Sequence, residues 1–232
     1  METINETYFI PQFEEPWDHR FTLSYLQPEE YHFCLDSIVF AKFVASMLTE
    51  TAIDSTYRIL DVCSGCGVIG LELSFLDERI HACDFMEIQE TFRESFLGNL
   101  AVANRDRWTF RFLNQSYATL LEDHFARSYD LIIGNPPYFM RHEGLLSLSE
   151  MQNRCRFFLD SSLETLAMGV LSALSDRGSA FLLVKSGEQH GRDAISELKS
   201  WLVPLGGEAD VVAKVRGTPV VHLRRRSQAV VT

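Results

Sequence analysis

The sequence predicts an α/β fold, a doubly wound and mostly parallel sheet that closes with an antiparallel hairpin. Strand patterns alternate with helix patterns from residue 36 to residue 206, which is typical of parallel βαβ units covered by helices on both faces. The last two strand patterns lie on either side of Gly217-Thr218-Pro219, and no helix separates them. These two strands therefore predict an antiparallel edge.

The individual elements follow from apolar spacing and from helix start signals. A first helix is predicted over residues 36–49, with Asp36 at its N-cap. Strands are predicted over residues 57–64, 79–84, 108–115, 128–134 and 179–186 and in two runs between 209 and 231. Further helices are predicted over residues 67–76, 87–104, 161–175 and 191–206. Ligands of such sheets bind outside the carboxyl ends of the strands, so the polar residues at those ends are the first candidates for a site.

Length and composition indicate one domain over residues 1–232, of which residues 1–55 form an N-terminal extension and a helix. The chain is 46% hydrophobic and 23% charged, as is usual for soluble globular proteins. No apolar run reaches the ~18 residues that span a bilayer, and the acidic N-terminus lacks a signal pattern. We therefore expect a cytoplasmic protein without a membrane partner.

Charge and cysteine content narrow the function classes further. A net charge of −11 argues against a broad nucleic-acid-binding surface, although Arg224-Arg225-Arg226 can form a local basic patch that contacts RNA phosphates. Five scattered cysteines predict no disulfide framework. Cys63-x-x-Cys66 lacks a second pair at ligand spacing, so we expect no metal.

A glycine-rich turn follows the first strand, in Asp61-Val-Cys-Ser-Gly65-Cys-Gly67-Val-Ile-Gly70. Glycines allow a sharp turn and a close approach of the backbone to a ligand. The segment also matches the G-x-G-x-x-G pattern of dinucleotide sites. A carboxylate at Asp61, however, suits the ammonium group of an amino-acid ligand and would repel a pyrophosphate. With Asp84 at the end of the second strand to hold a ribose diol, the pattern favours S-adenosylmethionine over NAD.

The third strand ends in Asn114-Gln115-Ser116. Side chains at this edge can meet the adenine ring of the cofactor, and Gln115 and Ser116 are the candidates. A backbone N–H group of the same turn can serve instead.

The fourth strand runs into Asn135-Pro136-Pro137-Tyr138. A planar amine such as N6 of adenine is a weak nucleophile, because its lone pair is delocalised into the ring. Two acceptors aimed at its N–H bonds, the Asn135 side-chain oxygen and the Pro136 carbonyl, would concentrate charge on the nitrogen, and the prolines hold that carbonyl in place. Tyr138 offers a flat face on which a base can stack.

These motifs resemble class I S-adenosylmethionine-dependent methyltransferases of the small-domain type with the N-P-P-Y motif, from about Tyr31 to the C-terminus. The resemblance implies a seven-stranded Rossmann-like methyltransferase sheet. Residues 33–44 are similar to the segment before the first strand in bacterial tRNA adenine-N6 methyltransferases, where a helix covers the methionine end of the cofactor, and Asp36 matches its aspartate. The resemblance therefore implies tRNA as the partner and N6 of adenine as the target. This family often carries an Arg-His-Glu stretch after N-P-P-Y, and the nearest candidates here, Asn153–Arg156, do not match it.

Several alternatives remain open. Release-factor glutamine methyltransferases share the N-P-P-Y architecture, but they place a helical substrate-binding domain before the first strand, and only about 55 residues precede it here. A base in ribosomal RNA or DNA is another target, which would have to be flipped out of a duplex or lie in a loop. A non-catalytic binding module on the same fold is a further reading, against which the intact motifs argue. The oligomeric state cannot be deduced from the sequence.

Overall fold

A computed structural model describes residues 20–54, 56–104, 108–185 and 192–226. Seven strands form the main sheet, and two strands of two residues form a separate one. The strands are β1 (Ile59–Val62), β2 (Ala82–Met86), β3 (Thr109–Leu113), β4 (Tyr129–Gly134), β5 (Phe139–Met140), β6 (Phe157–Phe158), β7 (Leu174–Leu183), β8 (Gly207–Val215) and β9 (Thr218–Arg225). The main sheet has the order β3-β2-β1-β4-β7-β9-β8, with β9 antiparallel to both of its neighbours. This confirms the predicted fold class.

The described residues form six α-helices. They are α1 (Leu35–Met47), α2 (Val68–Leu76), α3 (Arg93–Ala103), α4 (Glu150–Arg156), α5 (Leu163–Ala173) and α6 (Ala194–Leu202). Five of them cover the two faces of the sheet, and one, α4, lies outside it. Helices α1, α2 and α3 pack on one face and α5 and α6 on the other, so neighbouring residues of the buried strands, such as Ile59 and Leu60, contribute to different cores. No helix in the described part of the chain is long and apolar enough to cross a membrane.

The parallel register brings the carboxyl ends of the central strands to one edge of the sheet, which we call the carboxyl edge. Val62 of β1 is level with Met86 of β2 and with Gly134 of β4. Gly134 is in turn level with Leu182, the penultimate residue of β7. The loops after these strands carry the glycine turn and Asn135.

One prediction about the strands is wrong in its bounds. The second strand does not end at Asp84 but continues through Phe85 and Met86, whose side chains are fully buried. Asp84 is therefore in the middle of β2, and Glu87 is the first residue beyond the strand. This shift of two residues changes which carboxylate reaches the carboxyl edge.

A segment between the N-P-P-Y motif and α5, residues 139–158, was not predicted to have regular structure. We call it the arm. It contains β5, a 3-10 turn at Arg141–Glu143, α4 and β6. Strands β5 and β6 pair with each other, and the Tyr138 N–H donates to the Arg156 carbonyl at 3.1 Å. The arm is thereby attached directly to the N-P-P-Y motif.

Candidate active site

A cleft opens at the carboxyl edge, with an empty volume of about 980 Å³ that includes solvent at its mouth. The glycine turn, the ends of β2 and β4, the segment before α1 and the arm all contribute to its walls. Representative lining residues are Tyr31, Ser64, Glu87, Asn135 and Phe157. A concave site at this edge of a parallel sheet is where small ligands of such folds bind.

The glycine turn has the backbone geometry that the sequence predicts for a ligand loop. Gly65 and Gly67 have φ angles of 54° and 84°, in the left-handed region that favours glycine. A Cβ at Gly67 would also lie 2.7 Å from the Phe96 ring. Gly65 lines the cleft, whereas Gly67 supports the turn from behind.

Asp61 is fully buried beneath this turn and does not line the cleft. Its Oδ2 accepts a hydrogen bond from the Gly70 N–H at 2.9 Å, while its Oδ1 has no partner. Ser64 Oγ is the other buried side-chain oxygen without a partner in the described chain. Burial raises the pKa of Asp61 to about 8. Two unpaired buried oxygens at the base of a cleft are unusual, and they indicate that a polar ligand group belongs there.

Asp84, predicted to hold the ribose, does not line the cleft. Arg111 donates to both of its oxygens, at 2.7 and 2.6 Å, and the Tyr129 hydroxyl donates at 2.9 Å. The carboxylate is thereby fully committed to joining β2, β3 and β4. Both oxygens of Asp84 therefore have partners within the protein, and the ribose contact predicted for this residue stays a prediction.

Glu87 occupies the place that the sequence reasoning gave to Asp84. It lines the cleft, and its oxygens accept the N–H groups of Gly65 at 3.0 Å and Gln89 at 2.9 Å. Burial raises the pKa of the Glu87 carboxyl. The apolar pair Phe85-Met86 was the signal in the sequence that the strand continues to this point.

The remaining predicted cofactor residues are divided between the cleft and its surroundings. Gln115 lines the cleft, whereas the Ser116 hydroxyl caps a short 3-10 helix by accepting the Ala118 N–H at 3.2 Å. Asp36, in the first turn of α1, is 3.3 Å from the Arg216 guanidinium and does not line the cleft. Its neighbours Cys34 and Ser37 do.

The N-P-P-Y motif brings Asn135 to the cleft but directs Tyr138 elsewhere. Asn135 and Pro137 line the cleft, Pro136 is buried, and Tyr138 is outside the lining. The Tyr138 hydroxyl donates to Asn135 Oδ1 at 2.7 Å. Because an amide oxygen has two lone pairs, Asn135 can still accept from a substrate amine. In this geometry Tyr138 orients Asn135 and does not present a stacking face in the cleft.

The Arg-His-Glu stretch was sought in the wrong place. Arg141-His142-Glu143 follows the N-P-P-Y motif after two residues and forms the 3-10 turn of the arm. Glu143 accepts the Met140 N–H at 2.6 Å and so closes this turn. The departure from the family pattern that Asn153–Arg156 suggested therefore does not exist.

The basic run Arg224–Arg226 lies at the edge of the sheet opposite to the cleft. Arg224 and Arg226 form ion pairs with Glu208, at 2.7 and 3.5 Å. The Arg225 guanidinium donates to the carbonyls of Leu171, Ser172 and Leu174 at the end of α5. The run is part of the fold, so contacts with RNA phosphates have to be sought on another surface.

The part of the chain that forms most of this cleft is similar to a known protein family. Residues 33–166 match the family model described as "Methyltransferase small domain". The chain belongs to this family. The match contains the glycine turn, Glu87 and the N-P-P-Y motif. The resemblance inferred from the motifs is therefore confirmed.

This methyltransferase is 28% identical over 137 residues to a tRNA1(Val) (adenine(37)-N6)-methyltransferase from Bacteroides fragilis. The matched region is 58% of this chain and 54% of that protein, so the chain spans about half the length of this curated relative. Among solved structures, it resembles TrmN from Thermus thermophilus, with a TM-score of 0.53, 20% identity and coverage of 81% of this chain and 48% of that one. A putative S-adenosylmethionine-dependent methyltransferase from Methanococcus maripaludis gives a TM-score of 0.55 at 14% identity, with 84% of this chain and 88% of that chain covered. At such identities the structures support the fold.

S-adenosyl-L-methionine is the cofactor of this methyltransferase. The residues of the cleft fit it. In its lining, the unpartnered hydroxyl of Ser64 and the carboxylate of Glu87 are acceptors suited to an ammonium group and to ribose hydroxyls. Asp61 has a further unpartnered oxygen beneath the glycine turn, outside the lining. The backbone of Gly65 leaves room for close approach.

Proposed function

We propose that this methyltransferase methylates N6 of adenine in a tRNA, as a single catalytic domain. The observation that carries the proposal is Asn135, an acceptor on a proline-stiffened loop that lines the cofactor cleft, with its oxygen oriented by the Tyr138 hydroxyl. The target class comes from the Bacteroides fragilis relative, whose name gives an adenine N6 position in a tRNA.

The protein contributes to methyl transfer by orienting the target amine and by stabilising the charge that develops on its nitrogen. When bound, S-adenosylmethionine supplies an electrophilic methyl group on a sulfonium sulfur. Asn135 Oδ1 accepts one N–H of the target amine, and the Pro136 carbonyl accepts the other. As the amine nitrogen becomes pyramidal and then positively charged, both contacts strengthen. The excess proton leaves to solvent after transfer, so no general base is needed.

On the cofactor side, we propose that Glu87 binds the ribose diol and that Gln115 lies at the adenine ring. Asp61 balances the charge of the methionine ammonium group from beneath the glycine turn, through a water molecule. The helix that contains Asp36 covers the methionine end, with Cys34 and Ser37 facing the cleft.

The assignment of the ribose carboxylate can be tested by a pair of substitutions. Glu87→Gln is expected to weaken binding of both S-adenosylmethionine and adenosine about tenfold or more, since a charge-assisted hydrogen bond contributes roughly 1.5–3 kcal/mol. Asp84→Asn is expected to leave both affinities near wild type but to lower the melting temperature, because it loses charge in a structural cluster. Calorimetric titration and thermal unfolding measure the two effects. The reverse pattern of affinities would return the ribose to Asp84.

The target class is tested by incubating the protein with radiolabelled S-adenosylmethionine and separate fractions of tRNA, rRNA, DNA and protein. Label in tRNA, recovered after digestion as N6-methyladenosine, is the expected result. Label in protein would favour the glutamine-amide alternative, which poses the same chemical problem to Asn135. Label in rRNA or DNA would keep the chemistry and change the target. Cofactor binding without label in any fraction would favour a non-catalytic module.

A further inference from the structure

The arm exposes three leucine side chains beside the cleft. Leu145 is 91% exposed, Leu148 is fully exposed at 108%, and Leu146 is 38% exposed. All three lie in the loop between the Arg141–Glu143 turn and α4. Exposed leucines are common singly, but three in four residues next to a catalytic motif call for an explanation.

The loop that carries these leucines is anchored at both ends. Asn153 is buried, and its side chain accepts the Ser147 N–H at 2.8 Å and donates to the Ser147 carbonyl at 2.9 Å. Gly144 is in close contact with the Phe157 ring, which lines the cleft. The structure therefore holds Leu145 and Leu148 in place at the surface, and does so through residues that also shape the cleft.

Unpaired cations flank the leucines. Arg141, Arg156 and Lys185 are exposed, and no ion pair joins them to a carboxylate among the described residues. The nearby acids are committed elsewhere, Glu143 to the Met140 N–H and Glu150 to Arg154. Lys185 follows β7 at the carboxyl edge, with its ammonium 5.5 Å from the Phe139 ring centre. A protein of net charge −11 thus carries three exposed cations beside its active site that form no ion pair within the described residues.

We propose that the surface formed by Arg141, Leu145, Leu148 and Arg156 of the arm, together with the adjacent Lys185, binds a single-stranded RNA loop. The cations contact phosphates on both sides of the target adenosine. The leucines contact the bases next to it and occupy the space that the target base leaves when it turns into the cleft, as apolar wedges do in bent nucleic acids. This inference rests on the proposed function.

The charge pattern favours this occupant over a protein. Phosphates are spaced along a strand and pair with separated cations, while unstacked bases offer apolar faces between them. A duplex offers no such faces, so the leucines would discriminate loops from duplexes. The acidic remainder of the protein surface keeps nucleic acid from binding elsewhere.

The test uses the full chain, a valine tRNA transcript and its anticodon stem–loop with 2-aminopurine at adenine 37, whose fluorescence rises when the base is unstacked. The double variant Leu145→Ser/Leu148→Ser is expected to raise KM for the tRNA transcript, which carries the natural adenine, about tenfold. It should also reduce the fluorescence change of the 2-aminopurine stem–loop, which binds but has no N6 amine to be methylated. The affinity of the variant for S-adenosylmethionine and its salt dependence should equal those of the wild type. Leu205→Ser is the matched control, because Leu205 is 51% exposed and immediately precedes the β8 end that pairs with Arg225 at the opposite edge.

The cations are tested separately. Arg141→Gln, Arg156→Gln and Lys185→Gln should each weaken RNA binding and reduce the slope of log affinity against log salt by about 0.7, the value per phosphate contact on a single strand. Arg177→Gln, the same change on an exposed arginine near the start of β7, should leave the slope unchanged.

The outcomes separate the inference from the proposed function. If the wild type methylates the tRNA but the leucine variant keeps a wild-type KM and fluorescence change, the docking face is wrong and the proposed function stands. If the wild type labels protein instead, and the leucine variant loses that label, the occupant is a protein and this inference is overturned. If the wild type labels no nucleic acid, both fall.

Discussion

Replacing Asn135 with alanine is expected to lower kcat about a hundredfold, by analogy with the loss of one preorganised oxyanion-hole group, while affinity for S-adenosylmethionine stays near that of the wild type. The contact from Asn135 Oδ1 to the target amine strengthens as the nitrogen gains positive charge, so its loss raises the barrier more than it weakens binding. Steady-state kinetics on the labelled substrate measures kcat, and calorimetric titration measures the cofactor affinity.

Two further variants show whether the effect belongs to the acceptor. Asn135→Asp keeps an acceptor oxygen and should recover part of the lost kcat. Tyr138→Phe removes the hydroxyl that orients Asn135 Oδ1 at 2.7 Å, so kcat should fall less than in Asn135→Ala and KM should change little. If Tyr138 instead stacked on the base, Tyr138→Phe should keep the kcat and KM of the wild type, because phenylalanine retains the aromatic ring. Asn135→Ala with wild-type kcat would reduce the N-P-P-Y motif to a turn.

The fold could be predicted because its determinants are local and repeated. Apolar strands such as Leu131-Ile132-Ile133 and the amphipathic helices between them allow few arrangements once crossovers are right-handed. The hairpin around Gly217 could also be predicted, because the sequence has no helix pattern between its two strands. The order of strands in the sheet then follows from the family of folds that shares this alternation.

The sequence could not show that Asp84 has partners within the protein, because it is a polar residue inside a buried strand. Its charge is offset by Arg111 and Tyr129, which come from β3 and β4 and are 27 and 45 residues away in the chain. No residue near Asp84 in the sequence indicates these partners, so the sequence pattern placed Asp84 at the end of the second strand. The apolar residues Phe85 and Met86 were the local evidence against it.

The arm was missed for a different reason. Its strands have two residues each and its helix has seven, too short for apolar periodicity to be recognised. Its stability comes from long-range contacts such as those of Ser149 and Gln152 with Glu30, and from its attachment to the N-P-P-Y motif through Tyr138 and Arg156. The ion pairs of Arg224 and Arg226 could not be predicted either, because their partner Glu208 lies on the neighbouring strand β8.

Asp61→Asn is expected to move cofactor binding and protein stability in opposite directions. Binding of S-adenosylmethionine should weaken about tenfold or more, since the ammonium group loses a balancing charge worth roughly 1.5–3 kcal/mol. The cofactor-free protein, in contrast, should become more stable at high pH. Burial raises the pKa of Asp61 from its ordinary value of 3.8 to about 8 in the folded state, so the native protein holds a proton that the unfolded chain releases between these values. Stability from this group is therefore full below about pH 4 and declines as the pH rises towards 8.

Asparagine cannot ionise, so Asp61→Asn should lose less free energy of unfolding between pH 5 and pH 9 than the wild type. The expected difference is about 1–3 kcal/mol, the usual cost of leaving a buried polar group without a partner. Urea unfolding at both pH values measures it, and other titrating groups cancel because they are common to the two proteins. Adding S-adenosylmethionine should shrink the difference, because the bound ammonium compensates the ionised carboxylate whose Oδ1 has no partner in the protein. General damage to the fold would weaken binding and stability together. A variant that binds the cofactor as tightly as the wild type would exclude Asp61 from the site.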